Sequence, residues 1–417
     1  MKSLKLWGSA TLAVASMLGC SQQAELEQRE QFATCDDGRP SNLHVARDLF
    51  GATQAAADGK NGFWLFKSGT YDKGVVRVDS EGSIVGVLES PVGGQHLIES
   101  VVSISDDGVL LLVRSWPSGV FATDGDAELV RMDAAWTVRW QTPIDMLPAG
   151  QASAAALPDG GVIVAGEADL PQPAAEDLSD PSAVDAASQA GHGVFWARVS
   201  ATGEVLWQRT TVISKSPIFQ AARASGPPLV VDPAGRVRLV VQSADGLVIV
   251  SSDLEGADEQ EQLLDTRLAL NLMAAAGLPD GRIAIVSDRR GAMLTMVDRA
   301  GLVLWEKGYG HLEQARPWSI AFNPVRDELL LSGSSQGVDA SGSGSWLLAV
   351  GMEGDQLWSL ERAPLEVEGT DGVIGQVDAT RGPEVVGLAV GPDGTVLGAG
   401  YSGDELSYFR FGAGGCK

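Results

Sequence analysis

The stretch Leu157–Thr210 carries the repeat that decides the fold. It reads LPDGGVIVAGEAD at 157–169 and GVFWARVSATGEVLWQRT at 193–210, with a Pro/Ala/Asp-rich insert between the two parts. Short runs of alternating apolar residues predict four strands joined by three turns. Pro158-Asp159-Gly160 predicts the first turn, because proline presets φ and glycine accepts positive φ. Thr202-Gly203 predicts the third turn in the same way.

Similar units recur along the whole chain. The six others begin near Ala52, Val101, Pro228, Leu272, Trp318 and Val385. Seven four-strand units predict an all-β fold, a single seven-bladed β-propeller of four-stranded blades. The last unit ends at Gly414-Gly415 before its fourth strand. We therefore expect Leu43–Leu49 to supply that strand, so that the ring closes by mixing N- and C-terminal strands.

Composition limits the possible partners. The chain has 417 residues, 51 of them glycine, as a turn-rich all-β protein requires. Its formal net charge is −24, and such a charge repels nucleic acid and anionic lipid headgroups. We therefore expect no nucleic-acid partner.

The N-terminus has the pattern of an export signal. Lys2 and Lys5 precede an apolar segment, Leu6 to Leu18, that is short for a membrane span. Met17-Leu18-Gly19-Cys20 then resembles a bacterial lipobox. This resemblance implies cleavage before Cys20 and a membrane anchor through acyl chains on that residue. An ordinary secretory signal with a chance cysteine is the alternative.

These features predict the domain organisation and the location of the protein. We expect a lipoprotein signal peptide at 1–19, a flexible polar tether at 20–40 and the propeller at 41–417. Ser21 follows the lipidated cysteine, and the sorting rule of enteric bacteria then favours the outer membrane. The predicted location is the cell envelope, with the chain lipid-anchored and facing either the periplasm or the surface.

Two cysteines remain if Cys20 is lipidated. Cys35 precedes the first repeat, and Cys416 lies one residue from the C-terminus. The two ends of the chain meet in a closed propeller, and the envelope is an oxidising compartment. We therefore predict a Cys35–Cys416 disulfide, with two unrelated free thiols as the alternative.

A finer pattern, Gly-x-x-Leu-Trp, recurs at 203–207, 301–305 and 354–358, and Trp140 ends a degenerate copy. It resembles the end of the repeat in quinoprotein (PQQ-type) propellers. The resemblance implies that Trp140, Trp207, Trp305 and Trp358 dock against the neighbouring blade, and packing accounts for such aromatics without a further role. The vicinal cysteines and the calcium–cofactor residues of the dehydrogenases are absent from this sequence. The closer resemblance is therefore to non-catalytic PQQ-like repeat lipoproteins, and we expect no cofactor.

Long inserts fall between the second and third strands of a unit or between units, which places them on one face of the ring. Loops on a rigid scaffold are common binding sites. The acidic residues of these inserts, candidates for a binding face, are Asp124, Asp126, Glu176, Asp177, Asp180 and Asp185. Solvated disorder is the alternative for 171–190, given its composition.

Catalytic patterns are missing from the sequence. The four histidines lie far apart, and no nucleophile elbow, phosphate loop or dinucleotide fingerprint occurs. We therefore expect a non-enzymatic, monomeric binding platform for an envelope protein or polymer, without a metal site. The alternative is an enzyme, or a small-ligand or metal binder, that uses the central channel of the propeller.

Overall fold

The computed structural model describes part of the chain in eighteen segments. They are 41–50, 54–60, 62–66, 75–79, 83–88, 95–104, 108–116, 126–145, 152–169, 192–213, 228–243, 245–266, 271–288, 291–309, 315–336, 343–362, 384–402 and 405–411. Every regular element in these segments is a β-strand. This agrees with the all-β prediction.

The described strands form seven four-stranded antiparallel sheets. The chain begins with β1 (Ser41–Phe50), which belongs to the last sheet. The first three sheets contain β2 (Gln54–Ala57), β3 (Phe63–Phe66), β4 (Val75–Val78), β5 (Ile84–Leu88); β6 (Gln95–Ser103), β7 (Val109–Trp116), β8 (Asp126–Met132), β9 (Val138–Ile144); and β10 (Ala152–Ala156), β11 (Val162–Asp169), β12 (His192–Val199), β13 (Val205–Val212).

The other four sheets continue in chain order. The fourth and fifth contain β14 (Leu229–Val231), β15 (Arg236–Ser243), β16 (Gly246–Asp253), β17 (Gln260–Leu263); and β18 (Asn271–Gly277), β19 (Ile283–Asp288), β20 (Ala292–Val297), β21 (Val303–Gly308). The sixth and seventh contain β22 (Ala315–Asn323), β23 (Glu328–Gln336), β24 (Ser343–Gly351), β25 (Gln356–Arg362); and β26 (Glu384–Val390), β27 (Val396–Ser402), β28 (Glu405–Phe411) together with β1.

The seventh sheet joins the two ends of the chain. Its strand order is β1-β28-β27-β26, and β1 pairs antiparallel with β28, for example at Val45 and Ser407. The expectation that an N-terminal strand completes the last blade is therefore confirmed. The first strands of successive sheets also contact one another around the whole circle, from β2 to β26 and back to β2. The fold is a closed β-propeller, an arrangement that leaves only short, protected strand edges.

Seven apolar clusters fill the ring, each with side chains from two successive sheets. Phe63 and Leu397, for instance, share the cluster between the first and seventh sheets. Burial of one such side chain stabilises a fold by about 1.5 to 3 kcal/mol. The second and third strands of a sheet are buried almost throughout, as β15 and β16 show, whereas β13 at the outer edge alternates between half-buried and exposed.

Connections alternate between the two faces of the ring because neighbouring strands are antiparallel. The first-to-second and third-to-fourth turns share one face, and the described ones are short, such as 157–161 and 200–204. We call this the short-turn face. Most of the long inserts on the other face lie outside the described residues. Unit boundaries differ from the sequence prediction in places: β6 begins at Gln95, whereas the second unit was expected to start near Val101.

Candidate binding groove between the fourth and fifth sheets

The turns between third and fourth strands have a positive-φ residue at the same place in the second to sixth sheets, namely Trp136, Gly203, Gly256, Gly301 and Gly354. The turn of the fourth sheet has a second such residue, Asp258, with φ of 50°. We call the carbonyl of the residue two positions before the shared positive-φ residue the turn carbonyl. We call the residue four positions after the shared positive-φ residue the docking residue. The docking residues are therefore Trp140, Trp207, Gln260, Trp305 and Trp358. Each of these turns lies at an interface with the preceding sheet.

The interface between the third and fourth sheets shows how a docking tryptophan works. Trp207 lies across Gly256 of the next sheet, where an added Cβ would come within 3.1 Å of the indole. Its indole Nε1 donates to the Leu254 turn carbonyl at 3.0 Å, and Arg198 Nη1 donates to the same oxygen at 3.1 Å. The guanidinium of Arg209 stacks over the indole at 5.1 Å. One carbonyl thus accepts two donors from the preceding sheet.

The second and third sheets meet in the same way. Trp140 Nε1 donates to the Ala201 turn carbonyl at 3.0 Å, and Arg131 Nη1 donates to it at 2.8 Å. Between the fifth and sixth sheets, Trp305 Nε1 donates to the Met352 turn carbonyl at 3.2 Å. Three of the four predicted tryptophans therefore bond to the next sheet through equivalent oxygens.

Trp358 bonds differently because of its place in the ring. The seventh sheet has no turn at the equivalent position, since its third strand is β28 and its fourth is the N-terminal β1. Trp358 Nε1 instead donates to Glu328 Oε2 of its own sheet at 3.3 Å. The ring still packs against an apolar cluster that contains Leu388 of the seventh sheet. Trp358 therefore packs on the apolar cluster that joins the sixth and seventh sheets.

At the interface of the first and second sheets, the glycine and the tryptophan have exchanged positions. Gly86 occupies the docking position of the first sheet, and Trp136 occupies the turn position that is glycine elsewhere, with φ of 64°. A Cβ on Gly86 would lie 2.6 Å from the Trp136 Nε1. Trp136 packs edge to face on Trp64, with ring centroids 5.1 Å apart. The indole at this interface therefore comes from the turn instead of the strand.

The leucine of Gly-x-x-Leu-Trp has a separate role. In the third sheet Val199 pairs with Val205 and Arg198 pairs with Trp207, so Leu206 is the unpaired residue of a β-bulge. Its side chain is 47% exposed, while the following tryptophan turns inward. The pattern therefore describes a bulge followed by a docking residue.

The fourth sheet departs from this arrangement. Its docking residue is Gln260, which is exposed, and the strand partner of Gln260 is Ser251 where the third sheet has an arginine. A groove of about 480 Å³ lies at this interface. Its walls are formed by Arg236, Arg238, Ile249, Ser251, Gln260, Glu261, Gln262, Arg299, Ala300 and Gly301. The groove lies at the docking position where neighbouring interfaces place an indole.

Arg238 stabilises the base of this groove. It reaches from the second strand of the fourth sheet to two carbonyls of the fifth, Gly281 at 2.9 Å and Arg299 at 2.6 Å. It also forms a buried ion pair with Asp232 at 3.2 Å. Burial lowers the pKa of the Arg238 guanidinium, and Asp232 opposes that shift. The arginine remains charged, because its normal pKa is far above neutrality.

Two more arginines lie at the rim. Arg236 binds Asp258 at 3.0 Å and donates to Ser251 Oγ at 3.3 Å, which fixes its guanidinium against one wall. Arg299 is 61% exposed, and its guanidinium Nε lies 3.8 Å from Asp232 Oδ2. The groove therefore combines aromatic-sized space, backbone acceptors and an exposed cation in a chain of strong negative charge.

A second polar feature faces the inner part of the ring. Glu99 on β6 and Arg114 on β7 form a buried ion pair at 2.7 Å. Burial raises the pKa of the Glu99 carboxyl, although Arg114 and the Ala152 amide act in the opposite direction. The first strands around the channel are rich in small residues, such as QAAA in β2 and ASAAA in β10. Arg316 on β22 also pairs with Asp288, at 3.7 Å. The predicted alternative of an enzyme or ligand site in the channel stays a prediction.

Most of the residues predicted as sites lie outside the described segments. They are Cys20, Cys35, Cys416, Asp124, Glu176, Asp177, Asp180 and Asp185. Asp126 is described, and it begins β8 as an exposed residue. Within the described segments no three His, Cys, Asp or Glu side chains gather as metal ligands. The same segments contain no helix with the length and apolar character needed to cross a bilayer.

Comparison with known proteins places the fold but no family. No protein-family model matches the sequence, and no curated protein matches it. The solved structure of YCF48 bound to D1 peptide is similar with a TM-score of 0.52 and 12% identity, covering 89% of this chain and 95% of that chain. A protein of unknown function from Bacteroides caccae reaches a TM-score of 0.45 at 14% identity, covering 72% and 93%. At 12% identity the similarity to the YCF48 structure shows the β-propeller fold alone.

Proposed function

We propose that this chain is a lipid-anchored envelope lipoprotein whose propeller binds a protein or an envelope polymer without catalysing a reaction. The observation that carries the binding role is the groove between the fourth and fifth sheets, where Gln260 replaces a docking tryptophan. A rigid ring with an open interface offers a preformed concave site. The YCF48 structure gives further support, because that propeller is bound to a peptide.

The groove supports a protein partner better than a small metabolite. It lies at the surface, with exposed Gln260 and Arg299 at its rim, so a side chain of another molecule can enter it. The inserts on the opposite face, which contain the acidic residues Asp124 to Asp185 named in the sequence analysis, remain a second proposed contact surface. Both surfaces are carried by the same ring, and the lipid anchor would hold them near envelope partners.

Affinity capture from solubilised envelope tests the binding role. Tagged full-length protein should enrich one partner or polymer over a tag-only control. A variant lacking residues 171–190 separates the insert face from the groove, because that insert joins two strands of the third sheet. Failure of both forms to enrich anything over the control would contradict the proposed function.

The anchor is proposed from the sequence resemblance at 17–20. Metabolic labelling with an alkyne analogue of palmitate should label the full-length protein and leave a Cys20→Ser variant unlabelled. The variant should also move from the membrane fraction to the soluble fraction, since the acyl chains supply the membrane affinity. Equal labelling of both forms would exclude lipidation at this cysteine.

The disulfide is proposed on the closure of the ring. Pairing of β1 with β28 brings the segments next to Cys35 and Cys416 to one sheet. Peptide mass spectrometry without reduction should recover the two cysteine peptides as one linked species. Alkylation of both thiols before reduction would show that they are free.

Kinship with PQQ-like repeats is proposed on the tryptophan bonds. Trp140, Trp207 and Trp305 bond to the next sheet in the manner implied by the resemblance. Because no cofactor set matches, the proposal concerns the scaffold and the non-catalytic members only. Absorbance of the purified protein between 300 and 500 nm should show no quinone band.

A further inference from the structure

We propose that the groove between the fourth and fifth sheets accepts a tryptophan side chain of an extended partner segment with an acidic residue beside the tryptophan. This inference rests on the proposed binding function and names the chemistry of the partner. Equivalent positions hold an indole in three other interfaces of the same ring, and these interfaces are the template for the bound tryptophan.

The shape of the groove matches an absent indole. In the third sheet Trp207 and the residue two positions later, Arg209, both lie over the next turn glycine. In the fourth sheet the nearest side chain over the next turn glycine, Gly301, is Gln262, which donates to the Gly301 carbonyl at 2.9 Å. Gln260, at the position of Trp207, is exposed. The space that Trp207 fills in one interface therefore remains as a groove in the other.

The hydrogen-bonding groups also match an indole. The turn carbonyls of Ala201 and Leu254 each accept one arginine and one indole N–H. The equivalent Arg299 carbonyl accepts Arg238 Nη2 at 2.6 Å, and no indole of the described residues bonds to it. A carbonyl oxygen has two lone pairs, so this oxygen can accept a second donor from a bound tryptophan.

Charge selects the residue beside the tryptophan. Arg236 is held by Asp258, and Arg238 is held by buried Asp232, so their charges are largely neutralised. Arg299 is 61% exposed and lies 3.8 Å from Asp232. Glu261 on the other wall disfavours acidic groups there. An acidic residue that follows the tryptophan toward Arg299 fits this arrangement. Complementary charges across an interface mainly give specificity and faster association.

The test uses a short peptide, acetyl-Gly-Ser-Trp-Asp-Ser-Gly-amide, that carries 5-fluorotryptophan. Fluorine NMR reports only on the peptide, whereas intrinsic fluorescence would be dominated by the 11 tryptophans of the protein. Full-length protein should shift and broaden the fluorine signal in a saturable manner. Replacing the peptide aspartate with asparagine should weaken binding about threefold, by loss of the Arg299 contact.

The decisive variant fills the groove with a side chain of the protein itself. Gln260→Trp restores the docking residue of the other interfaces and should weaken peptide binding by at least about tenfold, a difference that corresponds to 1.4 kcal/mol. Gln208→Trp is the matched control, because Gln208 is an exposed glutamine at the outer strand of the third sheet. It should bind the peptide like the wild type. Arg299→Gln removes the charge without placing a carboxylate beside Asp232, and it should remove the preference for the aspartate peptide.

The outcomes separate this inference from the proposed function. Unchanged peptide binding by Gln260→Trp, or no saturable binding by the wild type, would overturn the groove assignment. If affinity capture still enriches a partner in that case, the proposed function stands and its surface lies elsewhere. Peptide binding that Gln260→Trp abolishes, together with no captured partner, would keep the groove and reject the envelope partner.

Discussion

The interface of the third and fourth sheets and that of the fourth and fifth have the same fold and different chemistry. In the first, Trp207 lies over Gly256 and bonds to the Leu254 carbonyl. In the second, Gln260 stays exposed and a groove of about 480 Å³ remains. Both interfaces retain an apolar cluster behind these groups. The comparison teaches that the clusters hold the ring together, while the docking residue decides whether an interface is closed at its outer end.

Arg238 explains how the open interface stays in register without its tryptophan. The third sheet places Arg198 on its third strand and bonds the next turn carbonyl from there. The fourth sheet has Ser251 at that position and bonds the Arg299 carbonyl with Arg238 from its second strand. The turn carbonyl therefore still accepts a hydrogen bond from an arginine, and the hydrogen bond from an indole is missing. This separation leaves an acceptor and a space for an outside ligand.

Removal of a docking tryptophan should have the largest effect on stability. Trp207→Ala should lower the free energy of unfolding by about 3 kcal/mol, because it removes buried ring area and a hydrogen bond to a carbonyl. Urea denaturation followed by circular dichroism measures this change. Gln208→Ala, at the exposed neighbouring residue, should stay within about 0.5 kcal/mol of the wild type. A loss below about 1 kcal/mol for Trp207→Ala would show that the clusters alone close the interface.

The reversed contact between the first and second sheets offers a second test. Trp136→Gly should destabilise the protein by loss of its packing on Trp64, and Gly86→Trp should do so because its side chain would clash with Trp136. The double variant recreates the arrangement of the third and fourth sheets. We expect it to be more stable than the sum of the single changes predicts, by about 2 kcal/mol.

Urea denaturation of all four proteins of this cycle measures the coupling. Gly86→Trp combined with Gln208→Ala is a control pair at distant sites, and its effects should add within about 0.5 kcal/mol. If the effects of Gly86→Trp and Trp136→Gly on the free energy of unfolding also add, an indole at position 86 does not replace the indole of Trp136. The interface between the first and second sheets would then not be equivalent to the interfaces that are closed by a docking tryptophan.

Closing the open interface should stabilise the ring. Gln260→Trp places an indole against Gly301 and next to the Arg299 carbonyl, as at the other interfaces. Filling a preformed space commonly adds about 1 kcal/mol to the free energy of unfolding. Urea denaturation should show this gain for Gln260→Trp and none for Gln208→Trp on the exposed surface. A loss of stability would mean that Arg236 already fills the docking position.

Much of the scaffold follows from local sequence. Residues a few positions apart determine the Pro-Asp-Gly turns, the other glycine-containing turns and the alternating strands. Sequence periodicity therefore reveals these elements. The closing strand was predictable because the last unit ends at Gly415 before a fourth strand, and β1 supplies it. The docking of Trp207 was predicted because Gly-x-x-Leu-Trp resembles the end of the quinoprotein repeat, and this resemblance implies that the tryptophan packs on the neighbouring blade.

The groove was harder to predict because it is marked by an absent residue. The fourth unit reads DLEGADEQ at 253–260, which keeps the turn glycine and replaces the tryptophan with Gln260. Alignment of this segment with the other turns carries the signal, whereas a search for the complete motif passes over it. The role of Arg238 could not be read from the sequence at all. Its partners Gly281 and Arg299 lie 43 and 61 residues away, in the next sheet.

The smallest predicted effect concerns the leucine of the same motif. Leu206 precedes the docking residue Trp207 in the sequence pattern, yet it is the unpaired residue of the bulge and is 47% exposed. Leu206→Gln should therefore change the free energy of unfolding by less than about 0.5 kcal/mol, as for most exposed positions. Urea denaturation beside Trp207→Ala makes the contrast direct. A loss comparable to that of Trp207→Ala would mean that the bulge itself, and not the indole bond, fixes the interface. The open groove would then reflect a different strand geometry at Glu259-Gln260 instead of a missing side chain.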